Sequence, residues 1–428
     1  TRGARLSPVL RDPRAPPPGL TVTPSRPSDR GVAAVLLIIG RIVYAFNWYN
    51  VGAVLPLLSK GLDANTAELG VVLGAFLVGA GVFQVPAGLI AMRWGYRTTS
   101  IFALALMGSF SLASAFSPDW VVLAVLRFGA GAGAAFFFAP ALGLVSSYYP
   151  VGSRGPVIGL YNSGFAVGAA AGLFIGALVG AAEGWVWALA DGGIALLVMA
   201  IGAVVTLPPL PRPDVPPTWK ATWRVGRPIL LSRNLWSLAL GLSGMWASFY
   251  IVAQYFVQFA HTVHPGWPVA LAAGIPTVMI VAEVFGGPIG GWFAERKADM
   301  RRILLLWGIA SSVGVALIAF VPLEALWPLF VFLGFADGVL FAVLYLVPTY
   351  LPEGRGENTA LAIGFLNSVQ LFFGSFFAIV FGVLVGVLGY DVGWVFAGIV
   401  LVGFLPFLAF LRVPRSGWVP TPPEPSAR

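Results

Sequence analysis

Apolar residues run along this chain in about twelve long blocks separated by short polar breaks. Crossing about 30 Å of hydrocarbon takes roughly 20 helical residues. Runs of that order occupy approximately 32–58, 66–92, 98–117, 120–148, 156–182, 186–206, 233–259, 268–293, 302–321, 326–350, 359–388 and 392–411. Several breaks are turn formers, namely Ser117-Pro118-Asp119, Glu183-Gly184, Pro265-Gly266 and Gly389-Tyr390-Asp391. The pattern predicts an all-α membrane protein with twelve transmembrane helices. Residues 1–30, with seven prolines and six arginines, read as a disordered cytoplasmic tail. A six-helix bundle over 31–206 follows, then a cytoplasmic linker over 207–232 that opens Leu-Pro-Pro-Leu-Pro-Arg-Pro, a second six-helix bundle over 233–411, and a tail over 412–428. The first apolar run is too long for a cleaved signal peptide and lacks its small-residue cleavage site.

Composition and charge sharpen this picture. The chain is 58% hydrophobic and 10% charged, against roughly 25% charged residues in a soluble domain. A net charge of +8 would suit a nucleic-acid binder, yet its distribution excludes that partner and names the lipid bilayer instead. Of the 25 basic residues, all but Arg41, Lys60 and Arg127 fall in the tails or in alternate loops. That asymmetry places both termini in the cytoplasm of a multi-pass protein of the cell membrane. The chain has no cysteine, so neither a disulfide nor a thiolate metal site can form. His261 and His264 lie just before Pro265 with no third ligand in view, and no metal or other cofactor is expected. A phosphate-cradling glycine loop ending in Lys-Ser/Thr is absent from the sequence, so ATP-driven transport has no support. No nucleophile–base constellation stands out, and the protein is not read as an enzyme.

The halves repeat. Gly88-Leu-Ile-Ala-Met-Arg-Trp-Gly-Tyr-Arg97 has a weaker copy in Gly291-Trp-Phe-Ala-Glu-Arg-Lys-Ala-Asp-Met-Arg301, each at the end of an apolar run. Trp120, Phe128 and Gly131 align with Trp327, Phe335 and Gly338. Asn162 aligns with Asn367, Arg154 with Arg355 after one gap, and Gly184-Trp185 with Gly393-Trp394. Blocks repeated in the same order indicate duplication. The first loop resembles the loop signature of the major facilitator superfamily, in which glycine, an acid four residues later, arginine, glycine and a basic pair join helices two and three of each half. Met92 stands where that signature has aspartate, while Gly88, Arg93, Gly95 and Arg97 stay. The second copy keeps the acid in Glu295, beside Arg296, but has Ala298 in place of glycine. The resemblance covers residues 31–411 and implies two six-helix bundles related by pseudo-two-fold symmetry about an axis along the membrane normal. It also implies a cytoplasmic latch at the loop charges and a central pathway lined by helices one, four, seven and ten.

Five formally ionisable side chains fall inside the apolar spans: Arg41, Arg127, Asp191, Glu283 and Asp337. Each costs at least about 2.5–3.5 kcal/mol in hydrocarbon, so it must face protein or water. Asp191 sits near the outer interface. Arg41 either snorkels to the cytoplasmic surface or points with Tyr44 and Trp48 into a cavity. Arg127 either bonds carbonyls of a neighbouring helix or attracts a carboxylate. Asp337 and Glu283 are candidate proton carriers, because a carboxyl in low dielectric can be neutral in one state and charged in another. Asp337 shares a helix face with Phe341 and Tyr345, whereas Glu283 also has a structural reading at a glycine-rich interface. Tyr250, Gln254, Gln258 and His261 form a polar stripe on helix seven, Asn47 and Asn50 offer hydrogen bonds on helix one, and Asn367 pairs with Asn162 across the repeat. The substrate-binding set is thus Arg41, Tyr44, Asn47, Arg127, Tyr250, Gln254, Gln258, Phe341, Tyr345 and Asn367. Gly164, Gly168, Gly172 and Gly176 on helix five, and Gly286, Gly287, Gly290 and Gly291 on helix eight, are expected to bring those two helices together as a gate between the halves.

The expected function is secondary transport of a small organic or inorganic anion with protons, by alternating access and as a monomer. The alternatives are export of a sugar, drug or other neutral solute, and a non-transporting sensor on the same fold. Helix five has Ala169 and lacks the Gly-Pro pair of the superfamily's drug/proton antiporters, which weighs against a drug exporter.

Overall fold

The computed structural model describes residues 27–149, 154–210, 218–296, 299–351 and 359–412. The expected tails outside 27–412, Arg355 and the proline-rich opening of the linker lie outside those residues, as do the side chains of Glu295 and Arg296. The first half comprises α1 (Pro27–Ala53), α2 (Leu55–Gly61), α3 (Thr66–Trp94), α4 (Tyr96–Ser114), α5 (Trp120–Tyr148), α6 (Arg154–Glu183) and α7 (Trp185–Thr206). After a linker helix, α8 (Trp219–Leu230), the second half follows with α9 (Arg233–Gly241), α10 (Ser243–Val263), α11 (Val269–Arg296), α12 (Met300–Leu317), α13 (Leu323–Tyr350), α14 (Thr359–Leu388) and α15 (Tyr390–Phe404). A 3-10 turn over Leu405–Phe410 ends the described helices. Among the described residues, eleven segments are long and apolar enough to cross a membrane, and α4 is the twelfth helix of that layout.

Four boundaries differ from the sequence expectation. α1 begins at Pro27, inside the expected tail, where a first-turn proline loses no helical hydrogen bond. The first span breaks at Val54 because Pro56 opens α2, and proline cannot donate into the preceding turn. The seventh span breaks at Leu242, between Gly241 and Gly244. The linker carries α8, which the proline-rich reading of 207–232 left out. The repeat also shifts at one place. Gly184 and Gly389 are the equivalent turn residues, at φ 87° and 85°, a region open to glycine. Gly393, the partner expected from its Gly-Trp pair, lies one turn later inside α15.

Each half packs the same way. α3 lies on α5 and α11 on α13; α1 lies on α6 and α10 on α14. Between halves, α3 meets α14 and α6 meets α11, the two contacts exchanged by the pseudo-two-fold axis. The expected meeting of helices five and eight is therefore present, but the glycine strips do not make it. A Cβ on Gly168 would overlap the carbonyl oxygen of Ile42, and one on Gly172 would lie 2.5 Å from the carbonyl of Phe46, so the α6 strip seats α6 on α1. Gly286 and Gly290 seat α11 on Phe335 and Val339 of α13. Four-residue spacing marks a face without Cβ atoms, and the nearest neighbour within the bundle takes it. Between the halves the close contact is α3–α14, where Ser375 Oγ donates to Gly74 O (2.9 Å) and Ser368 Oγ to Gly81 O (2.6 Å).

A stability prediction follows from these contacts. Gly168→Ala has no room at the Ile42 carbonyl, whereas a Cβ on Gly291 meets nothing within 4 Å. Overpacking costs about 1–3 kcal/mol, so Gly168→Ala should lower the melting temperature of the purified protein and Gly291→Ala should leave it unchanged. Equal melting temperatures for the two variants would refute this assignment of the glycine face.

Candidate functional site

One cavity of about 300 Å³ lies on the pseudo-axis, toward the side where α1 starts and α3, α5, α11 and α13 end. Symmetry-related helices supply its wall: α1, α3, α5 and α6 from one half, α10, α11, α13 and α14 from the other. Its volume is at the small end of the range for small-molecule sites.

The aromatic residues form its roof. Trp48 and Trp246 meet across the halves at 6.2 Å between ring centroids, and Phe341 lies 6.0 Å from Trp246. Beyond that roof, away from the termini, the halves are joined by backbone-directed bonds. Gln254 Nε2 donates to Trp48 O (2.7 Å), and Tyr250 OH donates to Leu73 O (3.3 Å). Gly52 leaves the space that the Gln254 side chain fills.

Among the described residues, Arg41 is the only basic one on the cavity lining and Glu283 the only acidic one. The Arg41 guanidinium stands over three rings at 4.7 Å, those of Tyr44, Phe138 and Phe165, and 5.5 Å from Tyr161. Such ring faces stabilise a cation without consuming its N–H groups. Its Nε and Nη1 accordingly have no hydrogen-bond partner, although Arg41 is only 6% exposed. Buried donors of this kind are normally satisfied, so the site presents directed positive charge that awaits an acceptor. The carboxylate of Glu283 receives no hydrogen bond among the described residues. Amides complete the lining: Gln84 and Asn162, and Asn367, whose Oδ1 accepts from Tyr345 OH at 3.1 Å.

The structure divides the expected site residues. Arg41, Tyr44, Phe341, Tyr345, Asn367, Glu283 and Gly287 line the cavity together. Asn47, Arg127, Tyr250, Gln254 and Gln258 do not. Tyr250 and Gln254 are spent on the closing bonds just described. Gln258 lies one turn further from the termini on α10, its Oε1 without a partner. Asn47 Nδ2 donates to Val43 O and Gly192 O, tying α1 to α7. Arg127 Nη2 donates to Asn47 O at 2.9 Å, and its guanidinium stands 4.5 Å from the centre of the Phe76 ring. Arg127 thus makes the bond to a carbonyl of a neighbouring helix that the sequence offered as its structural alternative. Asp337 sits behind the wall, accepting from Ser311 Oγ at 3.2 Å.

The gating residues also separate. Arg97 Nε and Nη2 donate to Leu207 O and Val204 O, capping the C-terminus of α7 within its own half, a favourable position for a cation. Gly95 takes φ 84° between α3 and α4. Gly88 and Arg93 lie in the last turns of α3, and Glu295 and Arg296 in the last turn of α11.

Phe138, Leu142, Phe165, Trp246 and Phe249 line the cavity without having been singled out from the sequence. The pairing of Asn162 with Asn367 across the repeat was the usable signal, since both line it, and Phe165 and Leu371 follow them by one turn. The assignment for Arg127 gives a second prediction. Losing a buried charge-assisted bond costs about 1.5–3 kcal/mol, so Arg127→Lys should lower the melting temperature and leave ligand affinity unchanged. A weakened ligand at an unaltered melting temperature would return Arg127 to the binding set.

The 4-hydroxybenzoate transporter PcaK of Pseudomonas putida is 34% identical over 157 residues, 37% of this chain and 35% of that protein, so the match spans about a third of that relative. The gentisate transporter of Corynebacterium glutamicum is 22% identical over 366 residues, 80% of each chain. Among solved structures, a bacterial homolog to the human lysosomal transporter Spinster, inward-facing and occupied, shares the fold at TM-score 0.72 and 17% identity, covering 90% of this chain and 97% of that one. The sequence profile of the Major Facilitator Superfamily matches residues 37–370, and this multi-pass membrane chain belongs to that family of transport proteins.

Proposed function

We propose that the protein is a monomeric secondary transporter that carries a small organic anion, an aromatic carboxylate, together with protons across the cytoplasmic membrane. Both termini are cytoplasmic in this reading, and the cavity faces inward. The observation that carries it is Arg41, with Nε and Nη1 unpartnered in a cage of aromatic rings on the cavity wall. A guanidinium can hold a carboxylate through two parallel hydrogen bonds. The rings of Trp48, Trp246 and Phe341 offer an apolar slot for an aromatic body. The named substrates of the relatives, 4-hydroxybenzoate and gentisate, have this combination of carboxylate and ring. Alternating access is supported by a cavity on the pseudo-axis that is closed on one side by inter-half bonds, which rocking of the halves would exchange for bonds on the other.

Coupling has a simple charge argument. With Glu283 ionised, it balances Arg41 and the lining is neutral; with Glu283 protonated, one positive charge remains for an anion. Proton and anion therefore favour each other's entry, and acid on the loading side should raise anion affinity. A thermal-shift screen of aromatic acids against their neutral amides tests the reading, since a ligand that binds only the native state raises its melting temperature. Shifts for the acids alone are expected; equal shifts for the amides would favour a neutral-solute carrier.

A further inference from the structure

The helix between the two halves has no part in the transport reading above. α8 spans twelve residues, Trp219–Leu230, and α9 begins at Arg233, so this helix is held directly against a membrane span. Its inner side is Gly226 and the fully buried Ile229. A Cβ on Gly226 would lie 3.9 Å from Leu361 Cδ2, and one on Gly88 would lie 3.9 Å from Leu361 Cδ1. One leucine at the start of α14 thus lies beside both the linker helix and the end of α3.

The outer side is of another kind. Lys220, Trp223, Arg224 and Arg227 follow at three- and four-residue steps, which puts them in one stripe. All four are exposed, and with Pro228 they border a depression of about 450 Å³. None of the three cations pairs with a carboxylate among the described residues. Leu231 and Trp236, where α8 gives way to α9, are also exposed, at 68% and 41%. Indole rings favour the headgroup level of a bilayer, and Lys and Arg close to a membrane surface are drawn to anionic lipid. A soluble anion would need the cations but not the apolar side chains beside them.

We infer that α8 is an interfacial helix that binds the phosphate of an anionic phospholipid through Lys220, Arg224 and Arg227, with Trp223 at the boundary with the acyl chains. The site is separate from the transport cavity, which shares none of these residues.

The test is hydrogen exchange over residues 219–231 of the full-length protein in nanodiscs. The comparison is phosphatidylcholine alone against phosphatidylcholine with phosphatidylglycerol. Exchange should slow several-fold with phosphatidylglycerol, and the triple variant Lys220→Gln/Arg224→Gln/Arg227→Gln, at an unchanged melting temperature, should lose that protection. Raised salt should weaken it, as expected for charges at a surface. Inorganic phosphate added to the phosphatidylcholine discs should not reproduce it. Equal exchange in the two bilayers would overturn the inference, as would protection retained by the triple variant or matched by free phosphate. If the triple variant fails to fold, the wild-type comparison between the two bilayers decides alone.

Discussion

Replacing Arg41 with glutamine should weaken the binding of an aromatic carboxylate by about 10- to 150-fold. The figure follows from the loss of a charge-assisted contact worth about 1.5–3 kcal/mol. The side chain is buried among aromatic rings and lines the cavity with two guanidinium nitrogens unpartnered. Glutamine keeps a donor but removes the charge and the paired geometry. Calorimetry on the purified variant reads the change. Because no Arg41 hydrogen bond among the described residues joins two helices, the variant's melting temperature should stay close to that of the wild type, which separates it from Arg127. Affinity for a neutral amide should be unaffected. Equal carboxylate affinity in wild type and variant would remove Arg41 from the site.

The second large effect is expected at Glu283. Glu283→Gln mimics only the protonated carboxyl, so the cavity keeps its positive charge throughout the cycle. Proteoliposomes containing the variant should lose proton-driven accumulation of the anion yet retain exchange of labelled for unlabelled anion across the membrane. The argument rests on Glu283 being the only acid among the described lining residues, which include a single arginine. Asp337, behind the wall on Ser311, is the comparison in the same assay. Loss of accumulation in Asp337→Asn, with Glu283→Gln unaffected, would move the proton site to Asp337.

Much of the fold was legible because the bilayer imposes one length on every crossing. The twelve spans, the turn at Gly184 and the repeated Gly-x-x-x loops could be read from hydropathy and glycine placement alone. The break at Val54 had a signal in Pro56, but the one at Leu242 had none in hydropathy, since the residues on either side are equally apolar and it depends on packing around Gly241 and Gly244. The glycine strips announced a close approach but not the partner: a four-residue period fixes a face, and only assembly decides that Gly168 meets Ile42 rather than α11.

The site was legible in its residue types more than in their roles. Arg41 and Arg127 look alike in sequence, each a lone arginine deep in an apolar run. What distinguishes them is the neighbour each finds, aromatic rings around Arg41 and the Asn47 carbonyl for Arg127. Likewise the polar stripe of α10 predicts hydrogen bonding, and Tyr250 and Gln254 do hydrogen-bond, but to backbone of the other half rather than at the cavity. The basic residues of α8 have helical spacing in the sequence, but the prolines that precede them make the whole segment read as a linker.

The central claim is that the cavity at Arg41 carries an aromatic carboxylate with a proton. It is tested most directly by uptake of labelled 4-hydroxybenzoate into proteoliposomes under an imposed proton gradient, with 4-hydroxybenzamide as competitor. The account predicts accumulation above equilibrium that collapses when the gradient is dissipated and that the neutral amide does not inhibit. Uptake that ignores the gradient, or that the amide blocks as well as the unlabelled acid does, would contradict it.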